Sequence, residues 1–274
     1  MHFNTLLTLL LLASIPPLLK ADATTPATTT ASTAPANTAP PPSPSNLPLP
    51  SPTVTLPEFK TEGDWLVLGG IRINKATREI RVQVELALTE GILEFLLVDG
   101  KGKTYESIFE LNGNKPSELN FALLLAGVEP ITFAKYMDWV NAQTAKDEAA
   151  KTDVPRAPLA LSELGFAGNA LIEIQLFREG QLLPWDKLVA SREGKVPPRW
   201  YFVVTGGFFT TDGRFAGDMN LSYIALWRDP SAPINFLSRE GNPYRGPQGF
   251  AMNNSDKSLS KGMKFELSLL PAKP

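Results

Sequence analysis

Cysteine is missing altogether. Its absence excludes disulfides, thiolate nucleophiles, thiolate zinc sites and iron–sulfur ligation. It also excludes the lipid-bearing cysteine of a bacterial lipoprotein. Histidine is nearly missing: the single one is His2, inside the apolar leader. A body without imidazole or thiol rules out Ser-His-Asp and Cys-His sites. It equally rules out the common zinc, copper and non-haem iron sites built on His or Cys. Carboxylate-only Ca²⁺ or Mg²⁺ binding stays open, yet no EF-hand-type loop, P-loop or GxGxxG run is present. No metal and no cofactor is expected. Gly206-Gly207 is too bare for phosphate and reads as a β-bulge.

A strong charge of either sign is lacking as well. The formal net charge is -2, so no basic field calls for nucleic acid or an anionic membrane surface. Long apolar runs are also absent. The longest, Leu6 to Ile15, falls short of the roughly 20 residues a membrane helix needs. It fits the core of a signal peptide, and Ala21-Asp22-Ala23 supplies a small-x-small cleavage pattern. Residues 1–23 are therefore expected to be a signal peptide, and the processed chain is expected to have no stable membrane span.

Next to the leader lies a spacer. Residues 24–57 hold no charged side chain and ten prolines among Thr, Ala and Ser. Proline removes backbone donors and fixes φ, so neither helix nor ladder is expected there. The stretch has too little large apolar surface to offset ordering entropy. It is expected to be extended and solvated with polyproline character, reaching up to about 100 Å.

Residues 58–274 are expected to fold as one β-rich domain. Trp65–Leu68 and Ile71–Ile73 flank Gly69-Gly70. Ile80, Val82, Val84, Leu86 and Leu88 alternate with polar partners, the pattern of a half-buried antiparallel strand. Ile92–Val98 reads as a central strand, and Asp99-Gly100-Lys101-Gly102 as a hairpin turn returning through Lys103–Phe109. Pro116–Ala126 reads as a buried helix ending at Gly127, and Phe133 to about Thr152 as a second helix. Further strands are expected at Ala170–Phe177, Trp200–Thr205, Leu221–Trp227 and Met263–Leu270, with a turn at Asp212-Gly213. Asp229–Lys261, rich in Pro, Gly, Asn and Ser, is expected as a long ordered loop. The predicted class is α+β: a mainly antiparallel β-sheet with one buried helix packed on it and a peripheral helical insertion at 136–167.

Carboxylates are the remaining catalytic chemistry. Glu94 and Glu106 fall on the two arms of the expected hairpin. An even-length turn, the expected form, puts them on opposite faces; a three-residue turn would put them directly across from each other. Paired across, they would serve as general acid and base. Arg228-Asp229-Pro230 reads first as a turn former and second as the lining of a polar pocket. Trp200, Tyr201, Trp227 and Tyr244 offer stacking surface for sugar or peptide, or else core. The candidate binding residues are Tyr105, Glu106, Trp200, Arg228, Asp229 and Tyr244.

Several segments together resemble the YdjY-like domain, a family of exported bacterial proteins without assigned function. They are Glu90–Phe95 through Gly102–Phe109, Lys115–Leu119 with Phe121–Leu125 and Gly127, Trp200–Gly206, Asp212-Gly213, and Leu221–Ala225 with Asp229-Pro230. The resemblance spans roughly residues 65–270 apart from 136–167. It implies envelope location and a shared fold, and no reaction. A His often precedes the Asp-Pro in that family; here Arg228 stands there, so any imidazole-dependent role is lost.

Three readings fit these features. The leading one is a non-catalytic envelope binding or interaction module whose partner is an envelope protein or glycan. The second is a carboxylate-dependent hydrolase acting on envelope polysaccharide. The third is an assembly protein docking through the 136–151 helix by way of Tyr136 and Trp139.

Overall fold

The computed structural model describes residues 58–150, 161–192, 196–237, 243–244, 249–253 and 255–272. The expected signal peptide and spacer lie outside these residues, as does 151–160 of the expected insertion. The chain divides into two units, Met1–Thr53 and Val54–Pro274, and the described residues all belong to the second.

Strands β1 (Lys60–Glu62), β2 (Trp65–Leu68), β3 (Ile71–Asn74) and β4 (Ile80–Leu86) form an antiparallel meander. The apolar run after it is broken at Glu94 into β5 (Ile92–Leu93) and β6 (Phe95–Asp99). Next come β7 (Ser107–Leu111), helix α1 (Pro116–Leu125) and helix α2 (Phe133–Ala150). Strands β8 (Leu171–Arg178) and β9 (Gln181–Leu183) make a hairpin about Glu179-Gly180, both with positive φ. Strands β10 (Val189–Ser191) and β11 (Trp200–Val204) precede the short helix α3 (Ala216–Asn220). The chain ends with β12 (Ser222–Ala225), β13 (Ile234–Phe236), β14 (Phe250–Met252) and β15 (Lys264–Pro271).

Eight strands close on themselves in the order β4-β15-β8-β11-β13-β12-β6-β7 and back to β4. The α+β class holds, but the expected simple antiparallel sheet is a closed mixed barrel. Its β6–β7 and β12–β13 pairs are parallel. Cross-strand partners trace the wall facing the core: Leu86 to Phe109, Phe109 to Leu97, Leu97 to Ile224, Ile224 to Ile234, Ile234 to Val204. The ring closes through Phe202 to Ile172, Ile174 to Leu269 and Leu269 to Ile80. All are buried in one cluster. Side chains fill a barrel of this size, so it is a packed core and no channel. Each fully buried side chain contributes about 1.5–3 kcal/mol. A small second sheet, β10-β14-β5, stands beside the barrel.

Helix α1 shows how local and tertiary forces agree. Pro116 takes its first turn, and the Glu118 carboxylate accepts the Lys115 amide at 2.9 Å. At the far end Gly127 N–H reaches Leu124 O at 2.9 Å and Val128 N–H reaches Leu123 O at 3.0 Å, a Schellman closure with Gly127 at φ 78. Leu119, Ala122, Leu123 and Ala126 are buried in the same core as Ile71, Ile73 and Tyr223, packing the helix against β3 and β12.

Three further expectations are corrected. The stretch 229–261 is no plain loop: it supplies β13, a barrel stave, and β14. The 136–167 segment is no peripheral appendage in its described part. Tyr136 (1% exposed), Trp139 and Val140 pack with Leu164, Ala167 and Leu171 against β8 and β11, and the Trp139 ring stacks on Phe166 at 4.8 Å. Tyr136 and Trp139 therefore offer no docking face. Finally, Asp99–Gly102 does not turn the chain into a hairpin. The chain instead crosses back and enters β7 parallel to β6.

Candidate functional site

That crossover creates the most unusual side-chain constellation in the described residues. Asp99 Oδ1 accepts the Lys101 amide at 2.8 Å and Asp99 O the Gly102 amide at 2.7 Å, a tight turn off the end of β6. Residues 103–106 then lead back, with Lys103 Nζ lying 5.0 Å from the centre of the Phe95 ring. A 3-10 turn, Thr104–Glu106, re-aims the chain into β7. In the resulting register Phe95 faces Ser107. Glu94 and Glu106, one residue earlier on each arm, are therefore level, and the Glu94 amide donates to Glu106 O at 2.9 Å.

A second crossover, residues 226–233 between the parallel strands β12 and β13, meets the first here. Glu94 O accepts both the Leu226 amide at 2.8 Å and the Trp227 amide at 3.0 Å. Phe95 and Val98 pack on Ala225 at the end of β12 and on Ala232 of this second crossover. The two glutamates stand at this junction, close enough for the charge of Glu106 to act on the Glu94 carboxyl. The expected even-turn geometry, with the pair on opposite faces, is thus overturned: parallel pairing sets them side by side.

Glu106 is the buried member, 7% exposed. Its Oε1 faces Lys103 Nζ at 3.3 Å, and its Oε2 accepts the Tyr244 hydroxyl at 2.7 Å. Burial raises the Glu94 carboxyl above the ordinary glutamate range, and the Glu106 charge adds to the rise while Lys103 opposes it. Burial works to lower Lys103, but contact with Glu106 outweighs it and the ammonium is raised. Tyr244 is held well above the usual phenol value by burial and by its bond to Glu106.

The candidate residues separate into two groups. Tyr105, Glu106 and Tyr244 come together: the Tyr105 and Tyr244 rings are 69% and 53% exposed beside the carboxyl pair. Asp229 is near enough for its charge to act on Glu94. Its own carboxylate is engaged as a turn former, accepting the Ser231 amide at 2.8 Å and the Ser231 hydroxyl at 2.6 Å. The Tyr136 hydroxyl on α2 donates to Phe236 O at 3.0 Å; burial raises that phenol, and the nearby Arg228 charge opposes the rise. Trp200 does not belong to the site. It is wholly buried, stacked on Trp185 at 4.4 Å, with Phe236 and Phe250 around it.

Sequence reasoning missed Lys103 as a partner of the pair; its (i, i+3) spacing to Glu106 was the available signal. It also missed a cleft of ≈ 650 Å³ beside β8 and β9, lined in part by Leu182, Leu183, Pro184, Trp185, Val196 and Arg199. There Arg199 grips the buried Glu173 carboxylate through Nε at 3.0 Å and through Nη2.

Among the described residues no three or more His, Cys, Asp or Glu side chains converge to hold a metal ion, and no helix is long and apolar enough to cross a membrane. No family model, no curated protein and no solved structure matches this chain.

Proposed function

We propose that the protein is a non-catalytic, exported binding module that recognises a polyhydroxylated ligand, an envelope glycan, at the junction of the two crossovers. The supporting observation is the pairing of Tyr244 with Glu106: the hydroxyl is anchored at 2.7 Å while half of the residue stays exposed. Tyr105, the residue before Glu106, is a second exposed aromatic. Aromatic faces stack on the apolar side of a sugar ring, and adjacent carboxyl oxygens accept its hydroxyls. Export is supported by the leader and the Pro/Thr/Ala-rich spacer, and a YdjY-like kinship by the motifs around Glu94, Glu106 and Asp229.

The test is a glycan array probed with the purified protein, with titration of any hit. Tyr105→Ala and Tyr244→Ala are each expected to weaken binding about tenfold, equivalent to about 1.4 kcal/mol. Unchanged affinity in both variants, or an array without a hit, would sink the reading. Release of reducing ends from the hit glycan by the unmodified chain, lost in Glu94→Gln, would favour the hydrolase instead.

A further inference from the structure

We propose that Asn220 is an N-glycosylation site, loaded from a lipid-linked oligosaccharide while the chain is exported and before the barrel closes. Asn220-Leu221-Ser222 is an N-x-S acceptor motif without proline at its centre. Asp218 stands two positions ahead of the acceptor, and an acidic residue there is the further feature that bacterial transferases select. This rests on the export reading above and needs no glycan ligand.

The fold presents the acceptor outward. Asn220 closes helix α3, and Leu221 after it is left-handed at φ 58, turning the chain sharply into β12. The Asn220 side chain is exposed and makes no hydrogen bond among the described residues. A second motif, Asn253-Asn254-Ser255, offers a comparison. Asn253 Nδ2 donates to Asp186 O at 2.7 Å, and its Oδ1 accepts the Ser255 amide at 3.1 Å. A sugar on that nitrogen would crowd the Asp186 carbonyl, whereas one on Asn220 projects into water.

The other two motif residues fix the order of events. Ser222 is buried in β12, its hydroxyl bonded to that of Ser231 at 3.2 Å. The Asp218 carboxylate accepts the Ser117 amide at 2.8 Å and the Ser117 hydroxyl at 2.7 Å. A transferase has to read both groups in an open segment, and the folded domain offers neither. Transfer therefore comes first and folding second. In the transfer Asn220 Nδ2 bonds to the anomeric carbon of the donor's first sugar. The bond from that carbon to the diphosphate oxygen breaks, the lipid diphosphate leaves with the electron pair, and Nδ2 gives up one proton.

The neighbourhood suits a glycan. Met219, Phe208 and Phe209 are all exposed. Phe215 links them: its ring meets that of Phe209 at 5.4 Å, and its carbonyl accepts the Met219 amide at 3.3 Å. A bulky hydrated chain on the next residue shields apolar surface that otherwise invites association.

The test is mass spectrometry of the full chain, made with its own leader in a bacterial host that carries a membrane N-oligosaccharyltransferase and its donor. Leader-free protein is expected, with a glycan on the tryptic fragment Phe215–Arg228, whose one asparagine is Asn220. Asn220→Gln, which changes an exposed side chain, and Ser222→Ala should each leave that fragment bare. Leader-free protein with a bare Asn220 would overturn the proposal and leave the export reading standing; protein that keeps its leader would overturn both. Folded chain from a host without the transferase is expected to stay bare when offered the donor and an enzyme shown active on a short acceptor peptide. Loading it as fully as the exported chain would overturn the order of events.

Discussion

The Tyr244 hydroxyl donates to Glu106 Oε2 at 2.7 Å across 138 positions of sequence. It fastens the stretch between β13 and β14 onto the turn that precedes β7. A hydrogen bond to a charged group contributes about 1.5–3 kcal/mol when buried, less when half exposed. Tyr244→Phe keeps the ring and removes the bond. It is expected to lower stability by about 0.5–1 kcal/mol, read from denaturant midpoints at unchanged slope. An unchanged midpoint would show that the bond is fully replaced by water.

Asn235 is fully buried and holds the second crossover together. Its Nδ2 donates to Thr205 Oγ1 at 3.1 Å, Asp229 O at 3.1 Å and Ala232 O at 3.2 Å, while its Oδ1 accepts the Asp229 amide at 2.9 Å. Asn235→Leu strips these partners inside the core. A loss of about 2–4 kcal/mol is expected, since unsatisfied buried groups cost about 1–3 kcal/mol each. Chemical denaturation of the variant against the parent measures it, and a loss below 1 kcal/mol, roughly the cost of one exposed bond, would contradict the assignment.

Two glycines with similar backbone make a controlled comparison. Gly207 has φ +61, and a Cβ there would meet the Phe215 ring at 2.9 Å and Ser231 O at 3.0 Å. Gly213 has φ +79 with nothing within 4 Å. Alanine at either position incurs the left-handed strain of about 1 kcal/mol, and at 207 it also collides with its neighbours. Gly207→Ala is expected to be clearly the more destabilising, by at least about 1 kcal/mol beyond Gly213→Ala. Equal melting temperatures would show that Phe215 yields freely.

Arg199 and Glu173 form the other buried-carboxylate pair, with side-chain exposures of 58% and 9%. Removing Arg199 leaves a buried charge without its guanidinium. The expected cost of Arg199→Ala is about 1–2 kcal/mol, below the roughly 3–5 kcal/mol of a fully buried pair because the arginine is half in water. Arg199→Ala combined with Glu173→Gln should recover part of it. A double variant no more stable than the single one would argue that Arg199 acts through packing alone.

Histidine supplies no step in the pH profile of the described domain, because the single imidazole is His2. Any change in stability between about pH 5.5 and 8 must come from a displaced group, and the raised Glu94 carboxyl is the candidate. Glu106→Gln removes the negative neighbour and the Lys103 ion pair together. It is expected to move the Glu94 transition toward the ordinary glutamate range, read from melting curves across that range. A transition that stays put would show burial alone to be responsible.

Much of the fold was legible where the pattern was local. The period of Ile80 to Leu86, the caps of α1 and the start of α2 each depend on a few neighbouring residues, and the structure places them as the sequence predicts. Strand β13 escaped because Ile234-Asn235-Phe236 is short and sits among Pro, Ser and Gly, so composition pointed to a loop. Strand β9 escaped because three residues, two of them exposed, carry no period. Trp200 was legible as an aromatic and not as a position: its strand is alike on both faces, and only the Trp185 stack reveals which way it turns.

Residue order alone determined what chemistry is missing: no thiol, no imidazole past His2, no strong field and no apolar run long enough to span a membrane. It also determined where most strands and helices begin, because those depend on a window of a few residues. Only the tertiary structure decided the direction of β7. Gly100-Lys101-Gly102 permits either a hairpin or a crossing. The choice falls to the distant Leu86–Phe109 pairing that closes the barrel, a long-range contact absent from any local window. That one choice places Glu94 against Glu106.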